Sequence, residues 1–222
     1  MKYIILNHKM NLLYEDLPNY IKRTNNIKKN LIIAPSNIYL LEFLKNSCHQ
    51  ISSQDVCYIE HGNHTGKVSW SQLKSLGIKY SLIGHSEKKD DIIKINAKVK
   101  VCLDNDITPI LCFGNQESSE PITKILDQIE YYNDKIIYAY EPVYNIGKKD
   151  ISLIEIRKNI DIIDKYLRSK MIKNPHILYG GGINKENINE IYHLDKLSGI
   201  LLGSISSDIS NLENLLTNID EK

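Results

Sequence analysis

The feature that most limits what this 222-residue chain can fold into is a regular alternation of two kinds of segment. Short, mostly aliphatic and β-branched runs recur over Tyr3–Asn7, Leu31–Ala34, Gln50–Ser53, Tyr80–Ile83, Thr108–Phe113, 136–140, 176–179 and 199–202. Between them lie longer stretches with helical periodicity, for instance 17–28, 92–103, 122–131 and 152–168. Strand patterns alternating with helix patterns indicate repeated βα units and a parallel sheet. Eight such units predict a closed (β/α)8 barrel with outer helices. An open doubly wound sheet is the competing architecture, but no Gly-x-Gly-x-x-Gly follows the first run. No linker or low-complexity tract interrupts the pattern, so one barrel domain over residues 1–222 is expected. Ser152, three residues before Glu155, reads as a capping box opening the 152–168 helix.

In parallel barrels chemistry is carried by loops at the C-terminal ends of the strands. Four of those ends hold residues suited to it. The run 136–140 ends on Glu141, and Pro142 stops the ladder at once, which would present one carboxylate as a general base. Lys9 lies in Asn7-His8-Lys9-Met10-Asn11, where an ammonium would attract a phosphorylated substrate and stabilise a developing enolate oxygen. Gly84-His85-Ser86-Glu87 places His85 between a strand and a helix. The positive end of the helix dipole disfavours imidazolium, so a neutral His85 acting as a hydrogen-bonding electrophile is expected. Tyr179-Gly180-Gly181-Gly182, with Gly147 and Gly203, supplies glycines in the loops after the last three strands. Backbone N–H groups freed of side chains can form a nest for an anion there.

Other classes are excluded or disfavoured. A formal charge of +1 leaves no clustered basic excess for nucleic acid. Cys48, Cys57, Cys102 and Cys112 lack the paired spacing of a zinc or redox site. His61 and His64 offer two metal ligands in an apparent loop with no third, so no metal is expected. The N-terminal apolar run is too short for a signal peptide and no stretch matches a membrane span, so a cytoplasmic setting is expected.

Taken together, Asn-x-Lys, Gly-His-Ser-Glu, Tyr-Glu-Pro-Val and Tyr-Gly-Gly resemble the triosephosphate isomerase family in kind and order, over essentially the whole chain. The resemblance implies cofactor-independent interconversion of dihydroxyacetone phosphate and D-glyceraldehyde 3-phosphate, a step of glycolysis and gluconeogenesis. It implies that Glu141 is the base, His85 the neutral electrophile and Lys9 the fixed cation. It further implies that Asn7 touches substrate oxygens and that Glu87 supports Lys9 and His85. By the same resemblance, Gly147, Gly182, Gly203 and Ser204 would offer N–H groups to the phosphate, and 142–151 would form a closing lid. The loop 62–69 resembles the family's dimer loop, with Thr65 completing the partner's site. Another sugar-phosphate isomerase or epimerase, or an impaired phosphosugar-binding barrel, remains an alternative.

The chain departs from the family pattern at several positions. His8 and Tyr144 stand where Trp is usual, and Asn115 where Glu usually partners that second Trp; the paired change predicts a substituted Tyr144–Asn115 hydrogen bond. Gly182 replaces a Ser whose hydroxyl helps latch the lid, which predicts weaker closure and more phosphate elimination. The lid carries Lys148-Lys149-Asp150 for Thr-Gly-Lys, Gly203-Ser204 replaces a Gly pair, and the region of the fifth helix is short. Lys67 and Lys88 replace an interface Glu–Arg pair, which predicts a homodimer that dissociates readily.

Overall fold

The structure is a computed structural model that describes residues 2–117, 119–148 and 151–220. Strands β1 (Tyr3–Asn7), β2 (Leu31–Ala34), β3 (Gln50–Ser53), β4 (Tyr80–Ile83), β5 (Thr108–Phe113), β6 (Ile137–Tyr140), β7 (His176–Gly180) and β8 (Leu197–Leu202) pair in chain order into a closed parallel barrel. Closure is made by β1 on β8, with Tyr3 opposite Gly199 and Leu6 opposite Leu202. The helices are α1 (Leu17–Thr24), α2 (Leu40–Asn46), α3 (Trp70–Ser75), α4 (Ile92–Asp104), α5 (Ile122–Leu126), α6 (Leu153–Ser169), α7 (Ile188–Tyr192) and α8 (Ile209–Thr217). One follows each strand, as the alternation predicts.

Strand parity explains why the barrel holds its register. Ile5, Ile32, Ala34, Leu82, Ile110, Cys112, Ile137, Ala139, Leu178 and Leu201 pack as one inner cluster. Their strand neighbours, such as Ile4, Leu6, Ile33, Leu111, Tyr138 and Tyr179, belong to the outer layer shared with the helices. A slip of one residue would exchange the two layers, and each fully buried aliphatic side chain is worth about 1.5–3 kcal/mol. Carried two residues beyond Ile5 and Ala139, the same parity sets Asn7 and Glu141 on the inner face at the mouth. It sends His8 outward, toward the helices.

Element ends depart from expectation where side chains capture backbone. Helix α1 stops at Thr24, not at residue 28. The Thr24 hydroxyl donates to the carbonyls of Tyr20 and Ile21, and two asparagines follow. Helix α5 ends at Leu126, five residues short of expectation. Asn96 of α4 donates to Gln128 O and accepts from Glu130 N, tying that segment down instead of letting it wind. Strand β8 starts two residues early, through the register irregularity beside Gly199. Ser152 does cap α6, accepting from Glu155 N at 3.3 Å, but the Glu155 carboxylate is engaged elsewhere. Among the described residues no helix is long and apolar enough to cross a membrane.

Candidate active site

The mouth of the barrel gathers the expected residues from loops far apart in sequence. Asn7 Oδ1 accepts from Lys9 N at 3.1 Å, which holds Lys9 at φ +54°, a left-handed backbone rare for residues other than glycine. Gln54, which sequence reasoning missed, clamps the same turn by donating to Lys9 O and Ala34 O at 2.8 and 2.9 Å. Lys9 Nζ then meets Glu87 Oε1 at 2.5 Å. Asn7 is buried and is not on the wall of the cavity, so its observed work is to shape the Lys9 turn.

His85 does not open a long helix. It caps the single 3-10 turn Ser86–Lys88, and α4 begins only at Ile92. Its Nδ1 accepts from Glu87 N at 3.2 Å, so the lone pair is on Nδ1 and the proton on Nε2. That Nε2 lies 3.9 Å from Glu141 Oε1.

Glu141 is 9 % exposed, and its Oε2 has no partner among the described groups. Burial pushes its carboxyl above the usual glutamate range, against the opposing pull of His85, the Cys112 thiol and Lys9. A more basic carboxylate with a free oxygen is suited to taking a proton. Its room comes from Gly180, where an added Cβ would fall 2.9 Å from Glu141 Cγ. At Gly180, therefore, the glycine run serves the carboxylate.

Lys9, His85 and Glu141 form one wall of a cavity of about 340 Å³, and Gly147, Gly182, Gly203 and Ser204 lie on its rim. Positive side chain, imidazole N–H, carboxylate and glycine backbone thus face a common space the size of a small phosphorylated metabolite. A second cavity of about 290 Å³ shares His85 and Glu141 and runs toward the apolar Ile92, Ile95, Ile125 and Ile129. Thr65 lies in the exposed loop and does not reach the first cavity within its own chain.

The lid departs most from expectation. Tyr144 donates to Glu155 Oε1 at 2.6 Å, while Asn115 Oδ1 accepts from Tyr140 and its amide nitrogen caps the carbonyls of Glu117 and Glu120. The substituted bond therefore joins Tyr144 to the first turn of α6, while the Asn115 side chain bridges Tyr140 of β6 to its own loop. Asn145 adds a second anchor, donating to the Tyr179 hydroxyl at 3.2 Å. Gly182 sits at φ +58°, and an added Cβ would fall 2.7 Å from Lys148 O and 3.0 Å from Asn145 O. Lid backbone occupies the space a serine side chain would need. Lys149 and Asp150 lie outside the described residues.

Lys88 donates to Asp55 at 2.9 Å, so its charge is already met within the chain and the expected repulsion with Lys67 loses one of its partners. Asp55 and Asp90 also hold the buried Lys98 at 2.6 and 2.5 Å, joining the loop after β3 to the loop that bears His85. A lysine on the packed face of α4 was the sequence signal for this brace. Among the described residues no group of three or more His, Cys, Asp or Glu is arranged to hold a metal.

Comparison with known proteins decides the family. The profile described as triosephosphate isomerase matches residues 2–219. The chain belongs to the triosephosphate isomerase family. Its relatives include proteins named triosephosphate isomerase from Buchnera aphidicola subsp. Baizongia pistaciae, 34 % identical over 98 % of both chains, and from Orientia tsutsugamushi strain Boryong, 30 % identical over 97 % of both. One from Mesomycoplasma hyorhinis is 31 % identical over 89 % of this chain and 87 % of its own. The matches run through both the rim and the rebuilt lid, so this family's barrel carries the departures described above.

Proposed function

We propose that this isomerase interconverts dihydroxyacetone phosphate and D-glyceraldehyde 3-phosphate in cytoplasmic glycolysis and gluconeogenesis. The observation that carries the reading is the convergence of Glu141, His85 and Lys9 on one cavity with a glycine rim. Glu141, ionised and desolvated, takes the proton from the carbon beside the carbonyl and returns it to the neighbouring carbon. His85 donates from Nε2 to the substrate oxygens and passes protons between them as a neutral ring, the division of labour known for this family. Lys9 stabilises the negative charge of the enediolate. N–H groups of Gly147, Gly182, Gly203 and Ser204 hold the phosphate, and the lid excludes water that would favour its loss. No cofactor takes part.

We read the protein as a homodimer in which loop 62–69 carries Thr65 into the partner's site. Supporting this, Met10, Leu13, Tyr14 and Ile38 are 92, 58, 69 and 78 % exposed on the loops after β1 and β2. The Tyr14 and Tyr39 rings, 6.5 Å apart, show those loops to be neighbours. So much apolar surface on one rim suits a partner. Sedimentation at micromolar protein should give a dimer; a monomer throughout would sink this reading.

The decisive test is turnover of D-glyceraldehyde 3-phosphate, with Glu141→Asp beside the native protein. Turnover that falls in the variant supports both the reaction and the base. Equal turnover points to a contaminating enzyme or another base. A folded, inactive native protein that still binds 2-phosphoglycolate favours an impaired phosphosugar-binding barrel.

A further inference from the structure

Two consecutive residues at the end of β1 hold the turn after β8 from opposite sides. Lys9 packs on Gly203 from the cavity, its Cε 3.6 Å from where a Cβ would be. His8 lies in the outer layer, 1 % exposed, with its ring 4.7 Å from Tyr20 and 5.6 Å from Phe43. His8 Nε2 is 2.8 Å from the Tyr20 hydroxyl, which is 2.5 Å from Ser206 O. Ser206 in turn donates to Gly203 O from its backbone N at 2.9 Å and from Oγ at 2.7 Å. An unbroken buried chain of hydrogen bonds therefore runs from β1 to a glycine on the cavity rim.

Counting protons fixes its direction. A carbonyl can only accept, so the single Tyr20 proton goes to Ser206. The Tyr20 oxygen must then accept from His8, which places the histidine proton on Nε2 and leaves Nδ1 bare. Among the described residues Nδ1 is indeed buried without a partner. Burial holds His8 down to about 3, so the ring stays neutral at any pH at which the protein would work. Two phenylalanines would fill the same space without orphaning a nitrogen. Packing alone does not account for the polar pair.

We propose that His8 and Tyr20 are positioning residues that set the phosphate-binding turn 203–206 against Lys9. The proposal rests on the triose phosphate reading and deepens it: the phosphate grip is tuned from outside the barrel, through a residue where the family usually has Trp.

The test is Tyr20→Phe, which keeps the volume and removes the hydroxyl. KM for D-glyceraldehyde 3-phosphate and the dissociation constants of inorganic phosphate and 2-phosphoglycolate should rise together by about three- to tenfold, the size of one lost hydrogen bond. The kcat should stay within about twofold. His8→Phe, which leaves the Tyr20–Ser206 bond in place, should act in the same direction but no more strongly; the double variant should be no worse than Tyr20→Phe alone, and His8→Gln, which keeps an N–H donor, should recover most of the loss. A lower Tm with unchanged KM and phosphate constants would mean the pair only packs, and would overturn the proposal. Absence of turnover in the native protein would be a separate failure, of the isomerase reading. The two anion dissociation constants would still judge the relay.

Discussion

The two sides of the glycine rim of the cavity are built differently. The turn 203–206 is tied through Tyr20 across 186 residues of chain, by groups that are fully buried. The lid is tied through Tyr144 to Glu155 across 11 residues, by a bond that water partly reaches. Breaking the first tie disturbs the join between β1, α1 and β8. Breaking the second releases a local segment and leaves the barrel closed. A cavity with one wall belonging to the global fold and one belonging to a local unit can open without unfolding. The comparison predicts effects of different size and kind on each side.

Glu141, which lines the same cavity as both walls, should show the largest effect. Glu141→Gln should lower kcat by about 10²–10⁴-fold, the usual worth of a general base. It should also stabilise the fold. The carboxyl is held above its ordinary range in the folded state, so the folded form binds the proton more tightly than the unfolded one. Above the unfolded glutamate range, ionisation therefore costs stability that Gln does not lose. Melting curves should show Glu141→Gln above the native protein at pH 7 and level with it once pH falls below that range. Equal melting at pH 7 would mean that burial does not strain this carboxylate. The same shift places the acid limb of the native activity profile above the ordinary glutamate range.

Gly182 tests the contact between the lid and the loop after β7. By resemblance alone, Gly182→Ser would restore a latch and suppress phosphate elimination. The structure reverses that expectation, because a Cβ there meets Lys148 O at 2.7 Å and the backbone is left-handed. Placing a side chain at such a φ costs about 1–2 kcal/mol even before the collision. Gly182→Ser should hold the lid off its seat and lower kcat/KM by about ten- to a hundredfold, the scale of a misplacement of about 1 Å. Methylglyoxal formed per turnover should rise. A fall in methylglyoxal would show that the lid has room for the hydroxyl after all.

These two positions also mark what could be read from sequence. Glu141 was legible because a buried run ending in Glu-Pro sets both the face and the end of a strand, and parity from Ala139 does the rest. Lys9 and His85 were legible as strand-end residues in family motifs. The support of Lys9 by Gln54 was not, since it depends on where the loop after β3 passes. The end of α5 was hidden because its cause, Asn96, sits on another helix. Glu155 was misread for a physical reason: its spacing from Ser152 fits a capping box, but a tyrosine hydroxyl on the lid competes for the carboxylate. Local pattern gives strand ends, and long-range side-chain choices stay invisible until the loops are placed.

Tyr144→Phe should give the smallest effect and the sharpest test of the comparison. It removes one charge-assisted hydrogen bond, worth about 1.5–3 kcal/mol when fully buried and less here because water reaches the pair. The second anchor, Asn145 to Tyr179, remains, so the lid should open more often without being lost. We expect kcat/KM to fall about two- to fivefold, with Tm unchanged, because no global contact is broken. Hydrogen exchange should localise the change. Amides at 145, 146 and 148, whose bonds lie within the lid, should exchange faster, while the Ser206 amide should exchange as in the native protein. If Ser206 also exchanges faster, the walls are coupled and the lid is no local unit. If neither changes, the Asn145–Tyr179 and Val143–Asn115 bonds suffice to seat the lid, and the Tyr144–Glu155 bond does not control its opening.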